Sequence, residues 1–389
     1  MSIERFVIPY SEAAVTDLRA RLGRTRWPDE IAGSGWQYGA DVAYMREICR
    51  YWADGFDWRA QVERLSAFDH YRYVDEDTGT GIHFMRVRGR GPAPLPLVIT
   101  HGWPGSFLEM LKIAPMLADP AGRGGDPADA FDVVVPSLPG FGFSDRPRRA
   151  GMNLWRTAEI WVRLMGALGY ERFAVQGGDF GASVSAILGL RHPGHVVGVH
   201  LNYIPGSYRP WLGAGEEVAA AEREFLDEDA RWLEESGAYD HVQRREPQTL
   251  AYGLNDSPAG LAAWILTKFR DWSDSGGDLG RRFARDELLA NVTLYWMTET
   301  IHASCRLYEE VRRSPFHLRQ GERVAVPCGV AHFAKEAPFP PRSWVERGFN
   351  VQRWTDFPRG GHFAALEEPE LLADDVSAFF RPLRATASS

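Results

Sequence analysis

Cysteine and lysine are scarce. Cys49, Cys305 and Cys328 are the only cysteines and lie far apart, too few and too scattered for a disulfide framework or a zinc site. Lysine occurs only as Lys112, Lys268 and Lys335 among 44 basic residues. The positive charge is therefore almost all arginine, a mark of genomic base composition rather than of function. Acidic and basic residues are interleaved and sum to a net charge of −8. No basic tract points to nucleic acid, and no cluster points to a membrane surface. No apolar run approaches the roughly 18 residues that span a bilayer. The N-terminus lacks the charged start and apolar core of a secretion signal, so a cytoplasmic protein is expected. Internal repeats and low-complexity segments are also missing.

What is present is an ordinary globular composition, 44% hydrophobic and 25% charged over 389 residues, with ample material for a core. The informative stretch is FAVQGGDFGASVS, Phe173 to Ser185. It begins as a short apolar strand, turns through Gly177-Gly178-Asp179-Phe180-Gly181, and continues as small apolar residues suited to a helix packed close on a sheet. Small residues two before and two after a central polar residue mark a nucleophile elbow. The residue at the apex is Asp179. A carboxylate is ionised at neutral pH and needs no base to become a nucleophile. The bland alternative is a glycine-rich turn with an aspartate helix cap.

Four sections follow from the patterning. Residues 1–90 show a capped helix with Val15, Leu18 and Leu22 on one face, two further helical faces carrying Tyr44, Ile48, Trp52 and Trp58, Val62, Leu65, and a hairpin over 71–87. The aromatics of this section are expected to pack it onto the main domain. Residues 91–206 alternate apolar strands with helices, which predicts a mostly parallel sheet covered on both faces, with its site at the carboxyl ends of the strands. Residues 207–318 carry helical runs such as 217–235, 259–270 and 286–311, and read as a lid. The strand pattern resumes over 319–389.

These residues carry a resemblance. The elbow with aspartate, the turn His101-Gly102-Trp103-Pro104-Gly105-Ser106, the loop SLPGFGFS at 137–144, the lid run LNDSPAGLAAWILTKF and the late GGHFAALEEPELLADD resemble the α/β-hydrolase superfamily. Within it they are most similar to epoxide hydrolases of the microsomal type, over nearly the whole chain. Phe180 departs from the tryptophan usual there, and the N-terminal membrane anchor of that group has no counterpart in this sequence.

An enzyme of this kind needs a base late in the chain. Of eleven histidines, His362 stands after the last strand on a glycine pair, where it could reach the elbow. His70, His192, His195 and His317 read as solvated or structural. The acid that orients the base is expected at Glu336, the first carboxylate after the preceding strand, with Asp356, Glu367 and Glu368 as rivals; the last two read better as caps of the final helix. Two backbone N–H groups should hold an oxyanion, those of Phe180 and Trp103. The resemblance also implies two lid tyrosines, Tyr239 and Tyr308, as proton donors to an epoxide oxygen, while Tyr295 reads as packing.

The resemblance implies epoxide opening to a vicinal diol through an aspartyl ester, with an epoxide and water as partners and no metal or organic cofactor. It is also similar to actinobacterial epoxide hydrolases of secondary metabolism, including enediyne antibiotic pathways, and the aromatic abundance suits a bulky aryl epoxide. A homodimer is compatible with the sequence, which does not set the oligomeric state. Two alternatives are a haloalkane dehalogenase, which typically has tryptophan after its nucleophile, and a non-catalytic binding protein of the same fold.

Overall fold

The computed structural model describes residues 3–384 apart from Ala337. Its centre is a nine-stranded sheet, built from β1 (Ile3–Arg5), β2 (Asp69–Val74), β3 (Gly81–Val87), β4 (Leu95–Thr100), β5 (Phe131–Pro136), β6 (Phe173–Gly177), β7 (Val196–Leu201), β8 (Val324–Phe333) and β9 (Phe349–Phe357). The order is β1-β2-β3-β5-β4-β6-β7-β8-β9. The pairs from β5 through β9 are parallel, and those that add β1, β2 and β3 are antiparallel. The hairpin read from the sequence is thus the antiparallel edge of the main sheet.

The central strands β6 and β7 are buried along their whole length, as apolar strands covered on both faces should be. Register fixes where they end. Thr100 of β4 pairs with Gly177 of β6, and Gly177 with Leu201 of β7. The chain therefore leaves these strands at one level, which brings His101, Asp179 and Asn202 to a single edge of the sheet. The helix Asp179–Arg191 lies almost entirely buried against it.

The lid section contains six helices, Ala220–Ser236, Ala238–Arg245, Pro247–Asp256, Pro258–Trp272, Arg285–Thr298 and Ile301–Arg313. The expected single run over 286–311 is broken at Glu299, whose φ of 51° is left-handed and ends one helix before the next begins. Tyr239 lies inside the helix Ala238–Arg245. The N-terminal helices Glu12–Gly23, Val42–Asp54 and Trp58–Leu65 pack against the lid helices Pro258–Trp272 and Arg285–Thr298. The Trp52 indole N–H donates to Thr293 Oγ1 at 2.9 Å, and the Tyr51 hydroxyl to Asp286 Oδ1 at 2.8 Å. Those aromatics therefore brace the lid from behind. Among the described residues no helix is long and apolar enough to cross a membrane.

The loop Ser137–Ser144 has a structural function. His70 and His83 share a hydrogen bond of 2.9 Å, His83 reaches Ser137 Oγ at 2.9 Å, and Ser144 Oγ donates to the Ser137 carbonyl at 2.7 Å. Burial holds both imidazoles below their ordinary pKa. This neutral network anchors the loop beneath the site. The aromatic ring of Phe107 packs edge-on against both histidines.

Candidate active site

Asp179 sits at the turn between β6 and its helix with φ of 49°, a region that a non-glycine residue rarely enters and that aspartate tolerates better than most. The surrounding glycines are required by space. A Cβ on Gly181 would lie 1.9 Å from the Thr100 carbonyl oxygen, and one on Gly177 2.3 Å from the Gly181 carbonyl carbon. A Cβ on Gly102 would lie 2.1 Å from Asp179 Oδ1. The tight turn and the neighbouring strand exit thus press the carboxylate into one position.

In that position Asp179 Oδ1 accepts two backbone hydrogen bonds, from Trp103 N–H at 2.8 Å and Phe180 N–H at 2.7 Å. These are the two donors expected from the sequence, and they converge on one oxygen. Asp179 Oδ2 faces His362 Nε2 at 3.5 Å. On its far side His362 Nδ1 lies 2.9 Å from Glu336 Oε2 and 3.1 Å from Oε1. The three side chains are only 20%, 10% and 6% exposed in the order Asp179, His362, Glu336. Burial opposes a charge on His362, but the carboxylates of Glu336 and Asp179 outweigh it, and the imidazole pKa is raised well above its ordinary value.

The loop that carries His362 is clamped by the lid. His362 N–H donates to the Trp272 carbonyl at 2.9 Å, and a Cβ on Gly361 would meet that same oxygen at 2.6 Å. The Trp272 ring packs edge-on to His362 with centroids 5.1 Å apart. The rival carboxylates lie elsewhere. Asp356 pairs with His332. Glu368 pairs with Arg282 and Arg359, and Glu367 accepts from the Asp274 and Phe363 N–H groups. Glu368 stands at the N-cap of the final helix, as the sequence suggested, but makes no side-chain capping hydrogen bond there.

Opposite the acid–base pair stand the two lid tyrosines. The Tyr239 ring stacks on Trp103 at 5.6 Å and 6°, and Tyr308 meets Trp103 at 5.7 Å and 90°. The two phenol rings are 6.0 Å apart. Tyr308 also packs edge-on to Phe180 at 4.9 Å. Neither hydroxyl is engaged in a hydrogen bond among the described residues. Both phenols have pKa values raised well above 10, by burial first and then by nearby groups that include Asp179. Tyr295 is buried and donates to the Gly105 carbonyl at 2.7 Å, which fits packing. A cavity of about 220 Å³ is lined by Asp179, His362, Tyr239, Tyr203 and Trp272, and Tyr308 adjoins it through its contact with the Tyr239 ring. Sequence reading missed Tyr203, 5.7 Å edge-on from His362, and Trp272. The lid run LNDSPAGLAAWILTKF stops at Phe269, three residues short of Trp272, and nothing local distinguishes that tryptophan from a core residue.

The sheet order, the strand–turn–helix at Asp179 and the helical insertion define a protein of the α/β-hydrolase fold, and residues 96–243 match the family described by that name. Residues 3–110 match the family described as epoxide hydrolase N terminus. Epoxide hydrolase 1 of Oryctolagus cuniculus is 38% identical over 404 residues, which cover 97% of this chain and 88% of that one. The crystal structure of juvenile hormone epoxide hydrolase from the silkworm Bombyx mori has a TM-score of 0.84 at 31% identity, over 99% of this chain and 94% of that one. The epoxide hydrolase of Aspergillus niger has a TM-score of 0.85 at 29% identity, over 98% and 97%. The chain belongs to the epoxide hydrolases, in their microsomal-type branch, and is a hydrolase acting on epoxides.

Proposed function

We propose that the chain opens an epoxide to a vicinal diol through an ester between the substrate and Asp179. The observation that carries this reading is the division of labour across one carboxylate. Oδ1 is held by two N–H donors, while Oδ2 faces His362 in a cavity that Tyr239 also lines, with the Tyr308 ring 6.0 Å from that of Tyr239. In the first step Asp179 attacks an epoxide carbon, and Tyr239 and Tyr308 bind the ring oxygen and supply its proton. Forming the ester removes the negative charge of Asp179. That takes away one of the two carboxylates that hold His362 protonated. His362 then gives up its proton, which makes good the one lost by the phenol, and as a neutral base oriented by Glu336 it takes a proton from water while the water oxygen attacks the ester carbonyl. The developing oxyanion falls where Trp103 and Phe180 N–H already point.

The walls favour a particular substrate class. Tyr203, Phe225, Trp232, Trp272 and Trp344 line the cavity, and such rings offer edge and face contacts worth about 0.5–1.5 kcal/mol each beyond burial. We extend the proposal to an epoxide bearing a bulky or aryl group, of the kind formed in enediyne and other natural-product pathways. A cytoplasmic setting agrees with three free and buried cysteines.

The test is incubation with styrene oxide beside a chloroalkane, with assays for diol and for halide. Diol from the first substrate without halide from the second supports the reading. Halide release with no diol would refute it in favour of a dehalogenase.

A further inference from the structure

Behind the nucleophile lies a second, smaller cavity. It shares Asp179 and His362 with the main cavity, and is closed by Glu109, Gln176, Asn202 and Ala365. Its free space is about 20 Å³, enough for one water, which needs roughly 10–15 Å³. The lining is polar where it matters. Gln176 Nε2 donates to Asn202 Oδ1 at 2.7 Å, yet its buried Oε1 has no partner among the described residues. A buried acceptor of this kind normally meets protein or ordered water. The Glu109 carboxyl folds back over the HGWPGS turn, so close that a Cβ on Gly105 would lie 1.5 Å from Glu109 Oε1. Glu109 also lines a third cavity, of about 210 Å³, whose wall includes Lys112 and the exposed Arg64.

We infer that the hydrolytic water is held in this chamber, on the far side of Asp179 from the epoxide, and that Glu109 positions it. This deepens the proposed ester mechanism and rests on it. The chamber offers a water three partners, His362 Nε2, the Glu109 carboxyl and Gln176 Oε1. His362 Nε2 takes one proton from that water, and the water oxygen bonds to Asp179 Cγ. The Cγ–O bond to the substrate then breaks, and the leaving alkoxide takes the proton from His362 to complete the diol. The epoxide can therefore fill the main cavity without displacing the water, and the ester meets its nucleophile from behind. Burial pushes the Glu109 pKa up to about 8, against the opposing charge of His362 and with a smaller push from Asp179. A neutral acid there binds water without adding a third negative charge beside Asp179 and Glu336. Glu109 stands in the wall common to the chamber and the third cavity, which supplies a route for replacement water that bypasses the substrate.

The test is single-turnover rapid mixing of the whole protein with styrene oxide, reading ester formation and ester decay by quench and intact mass. Two variants are used. Glu109→Leu keeps about the size and removes every hydrogen-bonding atom, and Ala365→Val fills the chamber from another wall without touching Glu109. In both, ester formation is expected within about twofold of the parent. Ester decay is expected to slow by about tenfold or more, the scale on which displacing a reactant acts, so that ester accumulates during turnover. Ester decay at the parent rate in either folded variant overturns the inference, as does an equal slowing of both steps. Should Glu109→Leu fail to fold, Ala365→Val decides alone. Failure of the underlying mechanism is distinct, since the parent itself would then form no ester, and the chamber would lose its role with it.

Discussion

Removing the two phenol hydroxyls isolates proton donation from packing. In Tyr239→Phe and Tyr308→Phe the rings remain, and with them the stack on Trp103 at 5.6 Å and the edge contacts to Trp103 and Phe180 at 5.7 and 4.9 Å. Neither hydroxyl has a hydrogen-bond partner among the described residues, so its loss orphans no buried group there, and stability should change by less than about 1 kcal/mol. The kinetic effect should be large and confined to one step. A hydrogen bond to a charged oxygen contributes about 1.5–3 kcal/mol, or roughly 10- to 150-fold in rate per phenol by the usual conversion. One phenol can partly cover for the other, since their rings lie 6.0 Å apart. Each single variant should therefore sit at the lower end of that range. The double variant should lose about 10²–10⁴-fold, the scale of general acid catalysis. Ester hydrolysis, which uses His362 and the N–H pair, should keep its rate. The assay is rapid mixing with an aryl epoxide, following the ester burst and its decay separately. Alkylation by the double variant at close to the parent rate would refute the reasoning and reduce both tyrosines to packing.

Three further outcomes are expected. Asp179→Asn should fold at the parent melting temperature, because asparagine also tolerates the left-handed φ of 49°, and should form no diol; diol at near-parent rate with no deamidation in the mass spectrum would contradict that. Gly181→Ala should destabilise by at least about 1–3 kcal/mol, since its Cβ would lie 1.9 Å from a backbone oxygen, and an unchanged urea midpoint would show that the elbow yields. His362 has a folded pKa raised by Glu336 and Asp179, so its contribution to stability is full below about 6.5, its ordinary value, and is lost as pH rises through the folded value. The melting-temperature gap between the parent and His362→Gln should accordingly narrow toward alkaline pH, and a gap constant with pH would remove the ion-pair account.

Much of this was legible because tight turns and catalytic order write themselves into local sequence. The glycines around Asp179 and before His362 are forced by contacts of 1.9–2.7 Å, so they stand out as motifs. Alternating apolar strands gave the parallel part of the sheet for the same reason, since β6 and β7 bury every residue. What was hidden depends on distant packing. The break at Glu299 has no glycine or proline to announce it. Helices 238–245 and 247–256 are short, and their apolar stripes face neighbouring lid helices rather than one flat sheet. Glu109 reads as an ordinary surface glutamate in a short helical turn. Only the fold turns it over Gly105 and toward the back of Asp179. Trp272 and Tyr203 likewise acquire their place from the closing of the lid on the loop of His362.

The covalent ester is the central claim, and His362→Gln tests it most directly. This variant keeps Asp179, its two N–H donors and both phenols, and lacks only the base for the second step. Mixed with styrene oxide and examined by intact mass, it should gain one substrate mass, and a peptide digest should place that mass on Asp179. A folded variant that gains no adduct at any substrate concentration, while the parent makes diol, would contradict the account.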